Sequence, residues 1–158
     1  MSLLCRYKTP ALALSGKEQL LSFAQHYISQ SITDIHTEYC FYIETRNPLS
    51  NEKLLILQWL LSETFEPEHF SKKSFFPGSL NPGTQAYYVE VGPRLNFTTA
   101  WSANAVSICH ACGLAPITRI ERSRRYRISS EVPLNKEQIE QFARKVHDRM
   151  TECMYPYQ

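Results

Sequence analysis

Apolar residues recur along this chain in two rhythms, and the switches between them mark its elements. A short strand is expected from Leu3 to Lys8. Leu20, Phe23, Ala24, Tyr27 and Ile28 then follow helical spacing, with Ser15 and Glu18 three apart as a capping box at the start. From Thr33 to Thr45 the rhythm becomes two: Ile35, Tyr39, Phe41 and Ile43 alternate with Asp34, His36, Glu38 and Glu44, which predicts a strand with one wet face. Asn47-Pro48 breaks the chain and Ser50 is placed to cap a second helix. Its run Leu54, Leu55, Ile56, Leu57, Trp59, Leu60, Leu61 is so apolar that the helix needs cover on more than one side, with core burial the leading reading and a partner-binding face the other.

The segment Glu66 to Thr84 holds Pro67, Pro77, Gly78, Pro82 and Gly83, the composition of a connecting loop. Beyond it the order of elements repeats: a strand at Ala86 to Val91, a helix from Thr99 to Cys112 closed by Gly113, strand segments from Ile117 to Ser129, and a helix opening at Asn135. Asn135 and Gln138 form a second capping box, with Ile139, Phe142, Ala143, Val146 and Met150 on one stripe and Glu140, Arg144, Lys145 and Asp148 facing away. Ile117 and Ile120 have opposite parity, so a bulge or tight turn is expected near Arg122 to Arg124. The expected fold is α+β: one domain over residues 1–158, built from similar ferredoxin-like halves at 1–80 and 85–158, with helices packed on an antiparallel sheet and 156–158 beginning a linker.

The 158 residues are 43% apolar, enough for a core, and a formal net charge of +2 provides no global field to recruit nucleic acid or an anionic membrane. Arg6, Lys8 and Pro10 interrupt the N-terminal apolar residues, so neither a signal peptide nor a span of about 20 residues is read there, and a cytoplasmic location is expected. Five cysteines at irregular spacing fit reduced thiols, three of them in the core by their neighbours. Cys109 and Cys112 read as core positions rather than metal ligands, because no second pair completes a tetrahedral site. The histidines lack a nucleophile at a recognisable spacing, so no catalytic residue and no metal site is assigned.

Two constellations carry candidate chemistry. Arg94, Asn96, Thr99, Ser102 and Asn104 crowd a helix start, where unpaired N–H groups and partial positive charge favour an anion; the alternative is that Thr98 or Thr99 simply caps the helix. Arg119, Arg122, Arg124, Arg125 and Arg127, with Glu121 and Tyr126, form a dense arginine run. Ligand capture, an interdomain salt-bridge network and a solvated strand face are all open to it.

Glu90-Val-Gly-Pro-Arg94 with Asn96-Phe-Thr, Trp101-Ser-Ala-Asn-Ala-Val-Ser-Ile-Cys109, Arg119-Ile-Glu-Arg-Ser-Arg-Arg-Tyr126 and His147-Asp-Arg-Met-Thr-Glu152 together resemble the N-terminal domain of the large, single-chain phosphoribosylformylglycinamidine synthases. Ala103 departs from that pattern, where a hydroxyl residue is more usual, and the first half of the chain matches only in element order. The resemblance implies a PurS-like, duplicated fold and a non-catalytic assembly role. The candidates for interdomain or anion contacts are Arg94, Asn96, Thr99, Ser102, Asn104, Arg119, Arg124, Arg125 and Tyr126. The partners the resemblance implies are the synthetase and glutaminase domains of the same enzyme; ATP and Mg²⁺ belong to the synthetase, and this domain takes no cofactor or small-molecule substrate of its own. The rival expectation is a free-standing ferredoxin-like module that binds a phosphate ligand or single-stranded RNA.

Overall fold

A computed structural model describes residues 2–62, 67–76 and 82–156. The order is β1 (Ser2–Lys8), α1 (Leu14–Tyr27), β2 (Ile32–Thr45), α2 (Asn51–Ser62), a 3-10 turn (Pro67–His69), β3 (Phe70–Ser71), β4 (Gln85–Pro93), α3 (Ala100–Ala111), β5 (Ile117–Ser130), α4 (Lys136–Val146) and β6 (Glu152–Tyr155). The strands make one antiparallel sheet in the order β3-β1-β2-β5-β4-β6, and the four helices pack on one face of it. The expected α+β architecture is therefore observed.

The centre of the sheet carries a pseudo-twofold relation between β2 and β5. Both strands open with the pattern Ile-Thr-x-Ile, both are 14 residues long, and they pair along their whole length, with Tyr39 opposite Arg124 at the middle. The register slips once at each strand's start, leaving Thr33 and Thr118 as the extra residues. A bulge shifts side-chain parity by one, so Ile32 joins Ile35, and Ile117 joins Ile120, on the helix face. That bulge at Thr118 resolves the parity conflict read from the sequence. No turn occurs at Arg122 to Arg124, where the strand runs unbroken.

Each of the two cores draws one helix from each half of the chain. Leu20 and Ala24 of α1 meet Phe142 and Ala143 of α4 over Ile32, Ile35, Val89, Val91, Tyr126 and Ile128. Leu57 and Leu61 of α2 meet Cys109 of α3 over Phe41, Ile43, Ile117 and Ile120. Each wholly buried isoleucine contributes on the order of 1.5–3 kcal/mol relative to an exposed one. The halves interlock across β2 and β5, so neither half owns a complete core.

Three local expectations are corrected. Helix α1 starts at Leu14, with Ala13 as an N-cap that has no side-chain bond, instead of at a Ser15–Glu18 box. Its entry is held instead by Thr37 Oγ1, which accepts from the N–H groups of Ala11 and Leu12. Helix α4 has the expected Asn135–Gln138 capping box but ends at Val146, leaving Met150 off the stripe and 87% exposed. The backbone N–H of Met150 donates to Asp148 Oδ1 and Arg94 holds the Arg149 carbonyl, which turns the chain so that β6 pairs with β4. Gly92 permits that pairing, since a Cβ there would lie 2.8 Å from the Tyr155 ring. The expected loop contains β3, which pairs with β1, while its Pro77 and Gly78 lie outside the described residues, as do 157–158 of the expected linker.

Candidate interaction surfaces

The polar cluster at the start of α3 is used within the fold. Thr99 is the N-cap and accepts from the Ser102 N–H at 3.0 Å, while its own hydroxyl donates to Glu121 Oε1 at 3.1 Å. Ser102 is fully buried and its hydroxyl donates to the Ile120 carbonyl. Arg94 donates to the Arg149 carbonyl at 2.7 Å and Arg119 to the Phe97 carbonyl at 3.2 Å, so both brace neighbouring turns. Asn96 and Asn104 are exposed, Asn96 on the β4–α3 turn and Asn104 on a groove described below. The capping alternative accounts for Thr99 and Ser102.

The arginine run is divided by the strand's own alternation. Arg122 and Arg124 point to the helix side, in the notch between the two helix pairs. Arg122 lies over the rings of Trp101 at 4.4 Å and Tyr39 at 5.0 Å, a geometry worth about 0.5–2 kcal/mol. Arg124 pairs with Glu152 at 2.9 Å and donates to the Val146 carbonyl and the Tyr126 hydroxyl. Arg125 and Arg127 point to the other face and are buried, as is Tyr126 beneath α4, so the surface position expected for Arg125 and Tyr126 gives way to an internal one, while Arg124 is half-buried. These guanidinium groups are engaged within the chain, leaving no arginine ladder for phosphates to read.

The pairing of Arg124 with Glu152 predicts a pH response. Burial alone would raise the Glu152 carboxyl, but hydrogen bonds from Arg124 and from the Asp148 N–H outweigh it and hold the group below the usual carboxylate range. A depressed carboxyl stabilises the fold above its unfolded value, and that stability is lost as pH falls through the folded value. Glu152→Gln should flatten the acid limb of urea-midpoint measurements made from about pH 5 downward.

The helix-free face was expected to be wet, and its centre is instead closed. Arg125 sits directly opposite Glu38 of β2 and Glu90 of β4, reaching their oxygens at 3.1 and 3.4 Å. Glu90 also accepts from Tyr42 and from Ser123, the latter at 2.6 Å. Glu38 accepts from the Ser74 hydroxyl and the Phe75 N–H, drawing the 72–76 segment over the sheet, where Arg127 donates to the Phe76 carbonyl. Burial raises the Glu38 carboxyl above its ordinary range against the pull of these donors. Beside this floor a cavity of about 470 Å³ opens, walled by Tyr7, Tyr42 and Tyr155, with Leu3 and Leu95 at its rim and Cys5 in its lining. The glutamates of this network escaped the sequence reading because their partner lies far along the chain, and only the strand register brings them together.

The second surface is apolar and lies on the opposite side, over the second core. Leu55 and Trp59 of α2 are 66% and 69% exposed, one turn apart, and Ile108 of α3 is 54% exposed. Between the helices runs a groove of about 170 Å³ lined by Leu60, Leu61, Trp101, Asn104, Ala105 and Ile108. The pseudo-equivalent layer differs: the outer face of α4 carries Glu137, Glu140, Arg144 and Lys145. Soluble surfaces tolerate single apolar residues, whereas several gathered around an apolar groove mark an interaction site. Among the cysteines of these layers, Cys109 is buried as expected and Cys112 is exposed; Cys40 is buried, and Cys5 and Cys153 are half-buried.

Among the described residues no three His, Cys, Asp or Glu side chains gather to hold a metal ion, and no helix is long and apolar enough to cross a membrane. Comparison with known proteins then places the chain. It is 51% identical over 94% of its length to the probable phosphoribosylformylglycinamidine synthase, chloroplastic/mitochondrial, of Arabidopsis thaliana. It is 44% identical over 95% of its length to the Dictyostelium discoideum phosphoribosylformylglycinamidine synthase, and 40% identical over 78% to the human one. The chain spans 11% of the length of the first two relatives and 9% of the human one. The first half, matched by element order alone in the sequence, is thus joined to the second by direct similarity. The family model for the formylglycinamide ribonucleotide amidotransferase N-terminal region matches residues 38–158, and the chain belongs to that family.

Proposed function

We propose that this chain is the assembly domain of a phosphoribosylformylglycinamidine synthase, docking against the synthetase and glutaminase parts of the same enzyme and supporting the passage of ammonia between them. The reaction of the whole enzyme is the ATP- and glutamine-dependent conversion of formylglycinamide ribonucleotide to its amidine in purine biosynthesis. On this reading ATP and Mg²⁺ are held by the synthetase part. The observation that carries the proposal is the uncovered apolar layer of α2 and α3, in a chain that spans 11% of the length of its plant and Dictyostelium relatives. An α2 helix apolar nearly all round is suited to cover on both sides, and the sheet supplies only one.

Exposed Arg94, Asn96 and Asn104 and the partly exposed Arg119 are the remaining candidates for interdomain polar contacts. The reading keeps Arg125 out of the interface. A reducing compartment suits the five free thiols, and the name of the plant relative makes an organelle as apt as the cytoplasm.

The test is co-purification of the 158-residue chain with the separately produced remainder of the synthase. Leu55→Lys with Trp59→Lys should weaken association at least about tenfold, a loss of roughly 1.4 kcal/mol, without lowering the chain's own urea midpoint. Association that persists unchanged in the double variant removes this face from the interface.

A further inference from the structure

On the helix-free face, strand pairing brings together two thiols for which the docking proposal has no use. Cys5 of β1 lies opposite Tyr42, and Cys40 of β2 opposite Tyr7, so the cysteines are diagonal neighbours with their side chains on the same face. The diagonal register sets the two sulfurs beside each other across the β1–β2 seam. The two differ in access: Cys40 is 1% exposed, whereas Cys5 is half-buried and lines the 470 Å³ cavity. Tyr7 and Tyr42 flank the pair, and Arg125 and Glu90 of the floor share the cavity lining with Cys5.

We propose that Cys5 and Cys40 form a reversible oxidation site reached through the cavity, with Cys5 as the reacting sulfur and Cys40 as the resolving one. The arrangement divides the chemistry between them. Hydrogen bonding with the Cys40 thiol favours the Cys5 thiolate and lowers its pKa below that of an ordinary thiol, against burial and the nearby Glu90; Cys40 itself is pushed up by the same interaction and by burial. At neutral pH Cys5 is therefore ionised to a larger extent than an ordinary thiol. By contrast, Cys109 is buried beneath α3 and raised to about 11, mainly by burial.

With hydrogen peroxide as oxidant, the Cys5 thiolate attacks one peroxide oxygen: the S–O bond forms, the O–O bond breaks, and hydroxide leaves and takes up a proton as water. Cys5 is oxidised to the sulfenic acid and the peroxide is reduced. The Cys40 sulfur then attacks the Cys5 sulfur, its proton passing to the departing oxygen, so that the S–S bond forms, the S–O bond breaks and water is released. A diagonal cross-strand pair reaches the roughly 2.05 Å of a disulfide only by movement of β1 against β2, and a bond strained in this way is readily reducible.

The test uses the 158-residue chain with Cys112→Ser and Cys153→Ser, treated with one equivalent of hydrogen peroxide and read by peptide mass spectrometry after iodoacetamide labelling. The expected product is a Cys5–Cys40 linked peptide pair that dithiothreitol separates, with Cys109 still a free thiol. Two variants split the roles. Cys40→Ser keeps a hydroxyl donor, so Cys5 should alkylate at nearly the parent rate at about pH 7 and be trapped as a dimedone adduct, without a disulfide. Cys40→Ala removes the donor, and alkylation of Cys5 should slow about tenfold as its thiolate fraction falls. Overoxidation of Cys5 to the sulfinic acid with Cys40 untouched overturns the pair, and so does equal alkylation of Cys5 in Cys40→Ser and Cys40→Ala variants of unchanged circular dichroism.

Discussion

Arg125→Ala should cost about 3–5 kcal/mol of folding stability, the largest single-residue loss expected from a charged position in this chain. Arg125 is 4% exposed and directly flanked by two carboxylates, Glu38 at 3.1 Å and Glu90 at 3.4 Å. Its guanidinium also lies 5.3 Å over the Tyr7 ring and 5.9 Å over that of Phe76. Removing it leaves two buried carboxylates without their cation, held only by the Ser74 and Phe75 donors on Glu38 and the Tyr42 and Ser123 hydroxyls on Glu90. Glu38 is already raised by burial, and without Arg125 it should rise further. A carboxyl raised in the folded state loses stability as pH climbs from its unfolded value to its folded one, so the gap between the variant and the parent should be smaller at about pH 5 than at about pH 7. Adding Glu38→Gln and Glu90→Gln to Arg125→Ala should recover part of the loss by replacing ions with neutral hydrogen-bonding groups. Urea unfolding at the two pH values reads all of this, and a stable, pH-indifferent Arg125→Ala would contradict the buried network.

The pseudo-twofold relation makes the second large prediction. Ile35 and Ile120 occupy equivalent places in β2 and β5, each wholly buried in its own core and each brought to the helix face with its bulged partner. Truncating either to alanine removes the same group from a similar packing site and should cost about 2–5 kcal/mol. Because the cores share β2 and β5, both substitutions should lower one cooperative transition instead of splitting it into two, and their costs should agree to within roughly 1 kcal/mol. One silent substitution, or a biphasic unfolding curve, would show the halves to be less alike or less interlocked than their register implies.

What the sequence made legible was local. The period-two run in β2, the Asn135–Gln138 cap and the Gly113 stop of α3 are written in neighbouring residues, and the structure has each of them. The unbroken β5 was obscured because five arginines in a strand look like exposed turn chemistry until Glu38, Glu90, Glu152 and two aromatic rings are seen against them. Strand β6 was hidden for a different reason. Its four residues carry no period long enough to read, and it exists because Gly92 lets Tyr155 approach β4.

The candidate surface was half visible. The apolar excess of α2 was plain, yet composition alone did not say that Leu55 and Trp59 would point away from the sheet while Leu57 and Leu61 met it. The helix-start cluster pointed to a site because capping residues and anion-binding residues are the same residue types. Thr99 and Ser102 are spent on the cap and on β5, and Asn104 reaches the groove only because α3 turns it outward.

The central claim, that the α2–α3 layer is covered in the assembled enzyme, is tested most directly by hydroxyl-radical footprinting of the 158-residue chain alone and within the full-length synthase. Trp59 and Met150 are both exposed and readily oxidised in the isolated chain, on different parts of its surface. Covering of the α2–α3 layer predicts that Trp59 is protected in the full-length enzyme while Met150, beyond α4, continues to react. Oxidation of Trp59 at the same rate in both settings would contradict it.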